Sequence, residues 1–398
     1  MRIFSFIIVL LVTANFTPSV AQDKSASVAG FYLQPEWMTG KVVPIYAEAP
    51  PTDFRQSLSV NMAYKYREST KSWVNYYNHP YIGASVTLSK LGAPDTYGNE
   101  VSIIPYIMFN PLGDIAKNTY LKTGLGIAYF DNPHDTKMNP NNQVIGSHIN
   151  WEFQMFLYHE FNFLEHTNIV VGGGYLHASN GHTQLPNLGL NSAILSLSAN
   201  VNLFQVKKQA KPYNAPDHKR TSFLQVIQGV GIQELGTATG PVGGKKRSIH
   251  ATSLAYGRIF NNHLKVRTGL TYRYYQQYEW LIHSENLDQY EEYPAWAASS
   301  VHFFLGSEFL IGHFSIDVEG GLMLYRPMFK EFYKFLEGNP ASTKYFLKRN
   351  FISRLGMQYY LFNTEKHPRF NVFIGAHINA NLGQADFSSA NIGTVYRF

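Results

Sequence analysis

The feature that most constrains this chain is a period of two. Leu58, Val60, Met62, Tyr64 and Tyr66 fall on one side of an extended segment, and Ser57, Ser59, Asn61, Ala63 and Lys65 on the other. The same alternation returns at Leu121, Thr123, Leu125, Ile127 and Tyr129, at Val266, Thr268, Leu270, Tyr272 and Tyr274, and at Phe370, Val372, Ile374, Ala376 and Ile378. Successive side chains of a β-strand point to opposite faces, so each segment reads as a strand with one apolar and one polar side. Strands in soluble sheets have a mode of roughly 5–6 residues. These segments are longer, near the ~9–11 residues of a tilted strand that crosses a bilayer.

Composition removes the alternatives. Of 398 residues, 45% are hydrophobic, 15% aromatic and only 15% charged, against roughly 25% charged in an average soluble domain. The mean hydropathy of −0.19 is too polar for a bundle of membrane helices, and past Val20 no apolar run approaches the roughly 20 residues such a helix needs. The absence of Cys excludes a disulfide framework, a Cys-ligated metal and a lipidated N-terminal Cys. A net charge of +6 without a basic block argues against nucleic acid as a partner. What remains is an all-β chain, a transmembrane antiparallel β-barrel.

The N-terminus agrees. Arg2 precedes the apolar stretch 3–12, and Ser19-Val20-Ala21 reads as a small-x-small cleavage site. Residues 1–21 are therefore expected to be a signal peptide, and 22–398 a single outer-membrane β-barrel domain with no second domain.

Strands are predicted near 27–39, 56–67, 80–91, 100–111, 119–131, 145–161, 166–178, 191–205, 219–234, 246–261, 263–275, 297–311, 313–325, 349–362, 369–381 and 384–398. That is about sixteen, an even number as in bacterial single-chain barrels, with fourteen or twelve as the smaller counts allowed. With both ends of the barrel on the periplasmic side, the short connections 162–166, 261–263, 311–313 and 363–368 become inner turns. The long segments 39–54, 132–142, 276–294 and 326–349 become outer loops. The inner segments 68–79 and 206–219 are longer than typical. Phe398 ends the chain, with Tyr396 two residues before it, a terminal strand resembling the signal read by the outer-membrane assembly machinery.

Most of the chain reads as wall, and 169–204 is the exception. His177 and Ser179 lie two apart, followed by Asn180-Gly181, Pro186-Asn187, Gly189 and Asn191. Residues i and i+2 of a strand share a face about 6.5–7 Å apart, which suits a base–nucleophile pair. Across the next strand, Ser192, Ser196, Ser198, Asn200 and Asn202 form a lumen face, so Asn191 projects toward lipid. His177 and Ser179 fall on the bulkier side of their own strand, with Ile169 and Tyr175, the candidate lipid face. Polar groups facing hydrocarbon are costly and mark function.

The pattern H-x-S-N-G at 177–181 followed by P-N-x-G at 186–189 resembles the active-site segment of the outer-membrane lipid A 3-O-deacylases, the acyloxyacyl-hydrolase-like family. The resemblance covers roughly 145–205. It implies a Gram-negative outer-membrane serine esterase, acting without metal or cofactor, that removes an ester-linked acyl chain from lipid A of lipopolysaccharide in the outer leaflet. It implies Ser179 as nucleophile, His177 as general base, and Asn187 as an oxyanion-hole donor, assisted by Asn180 and Gly181. The family's acidic third member, twelve residues after the serine, is Asn191 here. Asn can hold an imidazole tautomer but cannot stabilise an imidazolium with a full charge. The family's simplest members are also eight-stranded, about half this chain.

The competing reading is a porin or hydrophobic-solute transport barrel, since sixteen strands suit an aqueous channel and Lys265 and Arg267 lie on a lumen face. Other polar residues get structural readings. His79, His148, His159, His250 and His302 read as rim residues, and His182 as a solvated loop residue. Glu152 reads as a lumen residue, alternating with Asn150 and Gln154. Gly172-Gly173-Gly174 reads as a strand bend or an opening for an acyl chain.

Overall fold

A computed structural model describes residues 27–67, 69–207, 220–336, 340–381 and 384–398. The signal peptide and its cleavage site lie outside the described residues. The strands are β1 (Ser27–Val43), β2 (Arg55–Tyr66), β3 (Tyr81–Lys90), β4 (Asn99–Phe109), β5 (Thr119–Phe130), β6 (Ile149–Leu164), β7 (Thr167–Ser179) and β8 (Leu190–Lys207). After the linker come β9 (Arg220–Thr237), β10 (Gly240–Phe260), β11 (Leu264–Tyr275), β12 (Ser299–Ile311), β13 (Phe314–Tyr325), β14 (Phe351–Tyr360), β15 (Phe370–Asn381) and β16 (Gln384–Arg397). Their positions follow the sequence periods closely.

Their closure does not follow the expected single barrel. β1 to β8 close on themselves, β9 to β16 close on themselves, and the chain is two eight-stranded barrels joined through the long 206–219 segment. The seams are antiparallel ladders, with Val43 opposite Asn191 and Trp37 opposite Leu197 in the first, and Tyr396 opposite Leu224 in the second. Alternation tells which side of a strand faces lipid, but not which strand closes the ring. Side-chain volume separates the two solutions, because the interior of an eight-stranded barrel is just wide enough for side chains to fill it.

Both lumens are filled in this way. In the first barrel Tyr158 Oη donates to Glu36 Oε1 at 2.6 Å, Asn61 Nδ2 to Glu36 Oε2 at 2.8 Å, and Lys122 Nζ to Asn61 Oδ1 at 2.7 Å. Arg55 pairs with Glu100 at 2.8 Å and lies 3.7 Å from Glu152, which faces the lumen as the alternation requires. In the second, the Arg267 guanidinium reaches Glu308 at 3.0 Å and both Asp317 and Glu319 at 2.6 Å, while Lys265 pairs with Glu308 at 2.6 Å. Lys265 and Arg267 therefore line no aqueous channel; they are buried in an ion network. His302 is likewise in this lumen and fully buried, not on a rim.

The glycine triplet has a lumen role as well. A Cβ on Gly172 would meet the Tyr158 ring at 2.4 Å, and one on Gly174 the Phe156 ring at 2.4 Å. These stacked aromatic side chains fill the barrel, and only glycine at 172 and 174 leaves them room, which is a packing role in place of a bend or a chain portal; Gly173 lies on the outward face, where an added Cβ would meet nothing nearer than 3.6 Å.

Outward faces are apolar, with Leu195, Leu254, Leu270 and Ile374 exposed. Among the described residues no helix is long and apolar enough to cross a membrane. The turn between β10 and β11 places Asn261 and Asn262 at φ of 47° and 63°, a left-handed conformation that Asn tolerates better than most residues. The barrels meet at both ends. On the inner side the helix Ser72–Tyr76 fills the long 68–79 connection. There the Ser72 amide donates to Glu365 Oε1 at 2.8 Å, and Tyr76 stacks on His263 with centroids 3.5 Å apart. On the outer side the loop after β7 joins the β9–β10 hairpin. Between these ends lies a cleft, so that Leu125, on an outward face, is only 6% exposed while Ile127 on the same face is 54% exposed.

Two side-chain-filled lumens are expected to conduct no ions. In planar bilayers the purified chain should give no porin-type conductance steps; regular single-channel steps would contradict the filled lumens.

Candidate active site

The site is built on a three-strand ladder. Pairing of β6, β7 and β8 sets Trp151 opposite Ser179, Phe153 opposite His177, and His177 opposite Asn191. Val170, Leu176 and Ala178 are buried toward the lumen, while Val171, Tyr175 and His177 take the outer face. His177, Ser179 and Asn191 thus share the outward face at the outer end of β7.

Their contacts are specific. His177 Nδ1 lies 2.7 Å from Asn191 Oδ1. Tyr175 Oη donates to the same oxygen. An amide oxygen only accepts, so Nδ1 carries a proton, and in the neutral imidazole Nε2 keeps its lone pair. Among the described residues Nε2 has no hydrogen-bond partner. The Tyr175 ring lies parallel to the imidazole, 6.5 Å away.

Ser179 is 7% exposed and sits under the Asn187 amide. Asn187 Nδ2 donates to Ser179 Oγ at 2.9 Å, and the Gly181 amide donates to the same oxygen at 3.2 Å. Asn180 contributes differently from Gly181. Its amide is committed to Asn187 Oδ1 at 3.0 Å, and its side chain ties Ser147 and the Gln184 carbonyl, so it shapes the loop and aims Asn187. No hydrogen bond joins His177 to Ser179 among the described residues. Catalytic hydrogen bonds are often long before substrate binds.

The second barrel reaches into this loop. Asn187 N donates to the Ala238 carbonyl at 2.7 Å, Leu185 N to Glu234 Oε2 at 2.5 Å, and Glu234 N to the His182 carbonyl at 3.1 Å. His182 is consequently buried, at 4% exposure, not solvated. Trp151 Nε1 donates to Ser388 Oγ at 3.0 Å, and Ser388 Oγ to the Asn180 carbonyl at 3.2 Å. Gly181 has φ +65°, and a Cβ there would lie 2.1 Å from Ser388 Oγ.

His177, Ser179 and Asn187 open on a cavity of about 930 Å³ between the barrels. Among the described residues no group of three or more His, Asp or Glu side chains is placed to hold a metal ion. The arrangement offers an oriented base, a buried hydroxyl and two N–H donors converging on it. Sequence reasoning missed Tyr175 as a partner of Asn191, although it had placed that ring on the right face. It also missed Glu234 and the hairpin tip, which no local pattern connects to β7.

Residues 56–200, from β2 into β8, match the family model of the lipid A 3-O-deacylase (PagL) family. A comparison with curated proteins found no match. Among solved structures, the outer membrane enzyme PagL is similar at 18% identity and a TM-score of 0.29, covering 42% of this chain and 97% of that one. A triple-mutant porin of Rhodopseudomonas blastica matches at 9% identity and a TM-score of 0.16, covering 93% and 100%. CdiB from Acinetobacter baumannii matches at 10% identity and a TM-score of 0.18, covering 94% and 60%. The family match falls within the first barrel and contains Tyr175, His177, Ser179, Asn180, Gly181, Asn187 and Asn191. The chain is a β-barrel protein of the Gram-negative outer membrane, and its first barrel carries the lipid A 3-O-deacylase pattern.

Gly189 tests the geometry. At φ +83° an added Cβ would lie 2.7 Å from His177 Cε1, whereas one on Gly173 would meet nothing nearer than 3.6 Å. Small displacements of a reacting group cost about 10²-fold. Gly189→Ala is expected to slow phosphonylation of Ser179 by a fluorophosphonate by about that factor, and Gly173→Ala to leave it unchanged, as read by mass spectrometry of the labelled protein.

Proposed function

We propose that this chain is a serine esterase of the outer membrane that removes an ester-linked acyl chain from lipid A. The observation that carries the reading is the outward-facing cluster of Ser179, His177, Asn191 and Asn187 at the outer end of β7, inside the family-matched segment. A hydroxyl and a base that open on a cleft between two barrel walls which would otherwise meet lipid suit a substrate that arrives from the membrane.

In the proposed mechanism Ser179 Oγ attacks the ester carbonyl carbon as its proton passes to His177 Nε2. The carbonyl oxygen becomes an oxyanion and accepts hydrogen bonds from Asn187 Nδ2 and the Gly181 amide. Collapse of the tetrahedral intermediate breaks the ester C–O bond, and the imidazolium returns the proton to the departing sugar oxygen. Water, deprotonated by the same nitrogen, then releases the fatty acid from Ser179. Asn191 holds the imidazole by its Nδ1–H, and Tyr175 holds Asn191.

The partners in this reading are lipid A and the surrounding outer-membrane lipid, and no metal or cofactor enters the steps. Phe398, exposed at the end of β16 with its amide bound to the Ser222 carbonyl at 3.0 Å, is the proposed contact for the assembly machinery.

Expression of the chain is expected to lower the mass of lipid A by one hydroxyacyl chain, and Ser179→Ala to abolish that loss. Asn191→Ala should slow turnover about tenfold to hundredfold, the kinetic equivalent of ~1.5–3 kcal/mol for a hydrogen bond to a charged group. Asn191→Asp should retain or raise it, because a carboxylate in the same place also stabilises the imidazolium. If Asn191→Ala is silent while Ser179→Ala is inactive, Asn191 is not the third member. Unchanged lipid A with wild-type protein defeats the reading.

A further inference from the structure

The second barrel repeats the strand plan of the first, and the repeat extends to the site. In the first barrel one cross-strand row runs Leu125, Phe153, His177, Asn191 through β5 to β8. The corresponding strands of the second barrel, β13 to β16, carry the row Val318, Leu355, Ile378, Ser388 in the same pairing. Trp151 opposite Ser179 has its counterpart in Ser353 opposite Ala380. The positions of His177 and Ser179 are thus occupied by Ile378 and Ala380, which can neither take a proton nor attack a carbonyl.

These two faces look at each other. Leu125, Phe153 and His177 on one side, and Val318, Leu355 and Ile378 on the other, line the same cavity of about 930 Å³. That volume is within the roughly 300–1,000 Å³ of ligand pockets, which are mostly apolar with a few placed polar groups. Lys344 and Lys348 reach the same cavity from the helix Thr343–Asn350. That helix ends where β14 begins, so it belongs to the outer loops, on the side where β7 ends at Ser179.

We propose that the second barrel is a non-catalytic copy that forms the opposite wall of the substrate cleft: an acyl chain of a phosphorylated membrane lipid lies between the barrels against Leu355 and Ile378, its ester carbonyl at Ser179, and its phosphate toward Lys344 and Lys348. The cleft lies between faces that would otherwise meet lipid, so its natural occupant is a lipid chain. The two ammonium groups at its outer rim complement an anionic headgroup. Contacts to parts of the substrate that do not react can be used to hold the ester in place for attack. The proposal rests on the esterase reading of Ser179.

The test uses the full-length protein in mixed micelles with two substrates, bisphosphorylated lipid A and p-nitrophenyl butyrate. The short ester reports Ser179 chemistry without needing the cleft. Ile378→Trp is expected to lower the ratio of lipid A turnover to short-ester turnover at least tenfold. The double variant Lys344→Gln/Lys348→Gln should raise KM for bisphosphorylated lipid A several-fold and reduce its preference over the monophosphorylated form. A measurement independent of these variants uses Ser179→Ala with lipid A carrying a diazirine in its ester-linked chain. Label should concentrate on peptides containing Leu355 or Ile378 relative to the outward Leu270, and unlabelled lipid A, but not phosphatidylcholine, should compete it away. An unchanged ratio in Ile378→Trp, or equal labelling of Leu270, overturns the proposal. Should Ser179→Ala keep both activities, it is the esterase reading that fails, and the photolabelling still decides whether the cleft holds the lipid.

Discussion

In hydrocarbon a backbone N–H or C=O without a partner costs several kcal/mol, so a sheet that crosses a membrane must close. Where it closes decides everything else in this molecule. Pairing β8 with β1 and β16 with β9 makes two narrow rings in place of one wide one. Narrow rings are filled by their own side chains, and the charged ones are buried in pairs such as Lys265 with Glu308 and Arg267 with Asp317. Two rings also have two outer surfaces. One side of each is turned against the other, and the cleft exists because of that. A single wide barrel built from the same strands would have placed His177 and Ser179 against open lipid.

The cleft changes what the site can be. The ladder of β6, β7 and β8 fixes the height of Ser179, His177 and Asn191, but it does not fix the loop that carries Asn187. That loop is held from both sides, by the Gln143 and Val144 carbonyls, which accept from Leu188 N and Gly189 N, and by the second barrel through the Ala238 carbonyl and the Glu234 carboxylate. The donor above Ser179 Oγ is therefore placed by both barrels, while Ser179 itself is placed by the first. Functional groups on rigid strands are set more precisely than those on loops, and here the loop borrows rigidity from a neighbouring sheet. Gly181, with no Cβ, is what lets Ser388 approach closely enough to join the two.

What could be seen in the sequence follows from the range of the interactions. The period of two is local, so strand positions were legible to within about half a dozen residues at their ends, as were the outward face of β7 and the grouping of His177, Ser179, Asn187 and Asn191. Ring closure is not local. Nothing in the alternation of β1 says whether its partner is β8 or β16, although the long 206–219 segment marks where the chain leaves one ring for the next. The same limit explains the misread residues. His302 lies on a strand whose face was readable, but only the narrow lumen makes it buried. His182 reads as a loop residue until the β9–β10 hairpin covers it. Gly172 and Gly174 are explained by Tyr158 and Phe156, which sit on a different strand.

Asn191 shows how the membrane setting and the choice of residue depend on each other. It is half-buried on the outward face of β8, and a carboxylate there, beside lipid, would lose part of its hydration, with two donors, His177 Nδ1–H and Tyr175 Oη–H, to replace it. The neutral amide makes the same two hydrogen bonds without a buried charge. It keeps the tautomer that leaves Nε2 basic, and gives up only the direct stabilisation of the imidazolium. In the proposed mechanism that loss is felt during the few steps in which the imidazole is charged, whereas a desolvated carboxylate would be costly throughout. Beside lipid the amide spares the folded protein a poorly hydrated charge, and what it gives up is the gain in turnover that a carboxylate at 191 would bring.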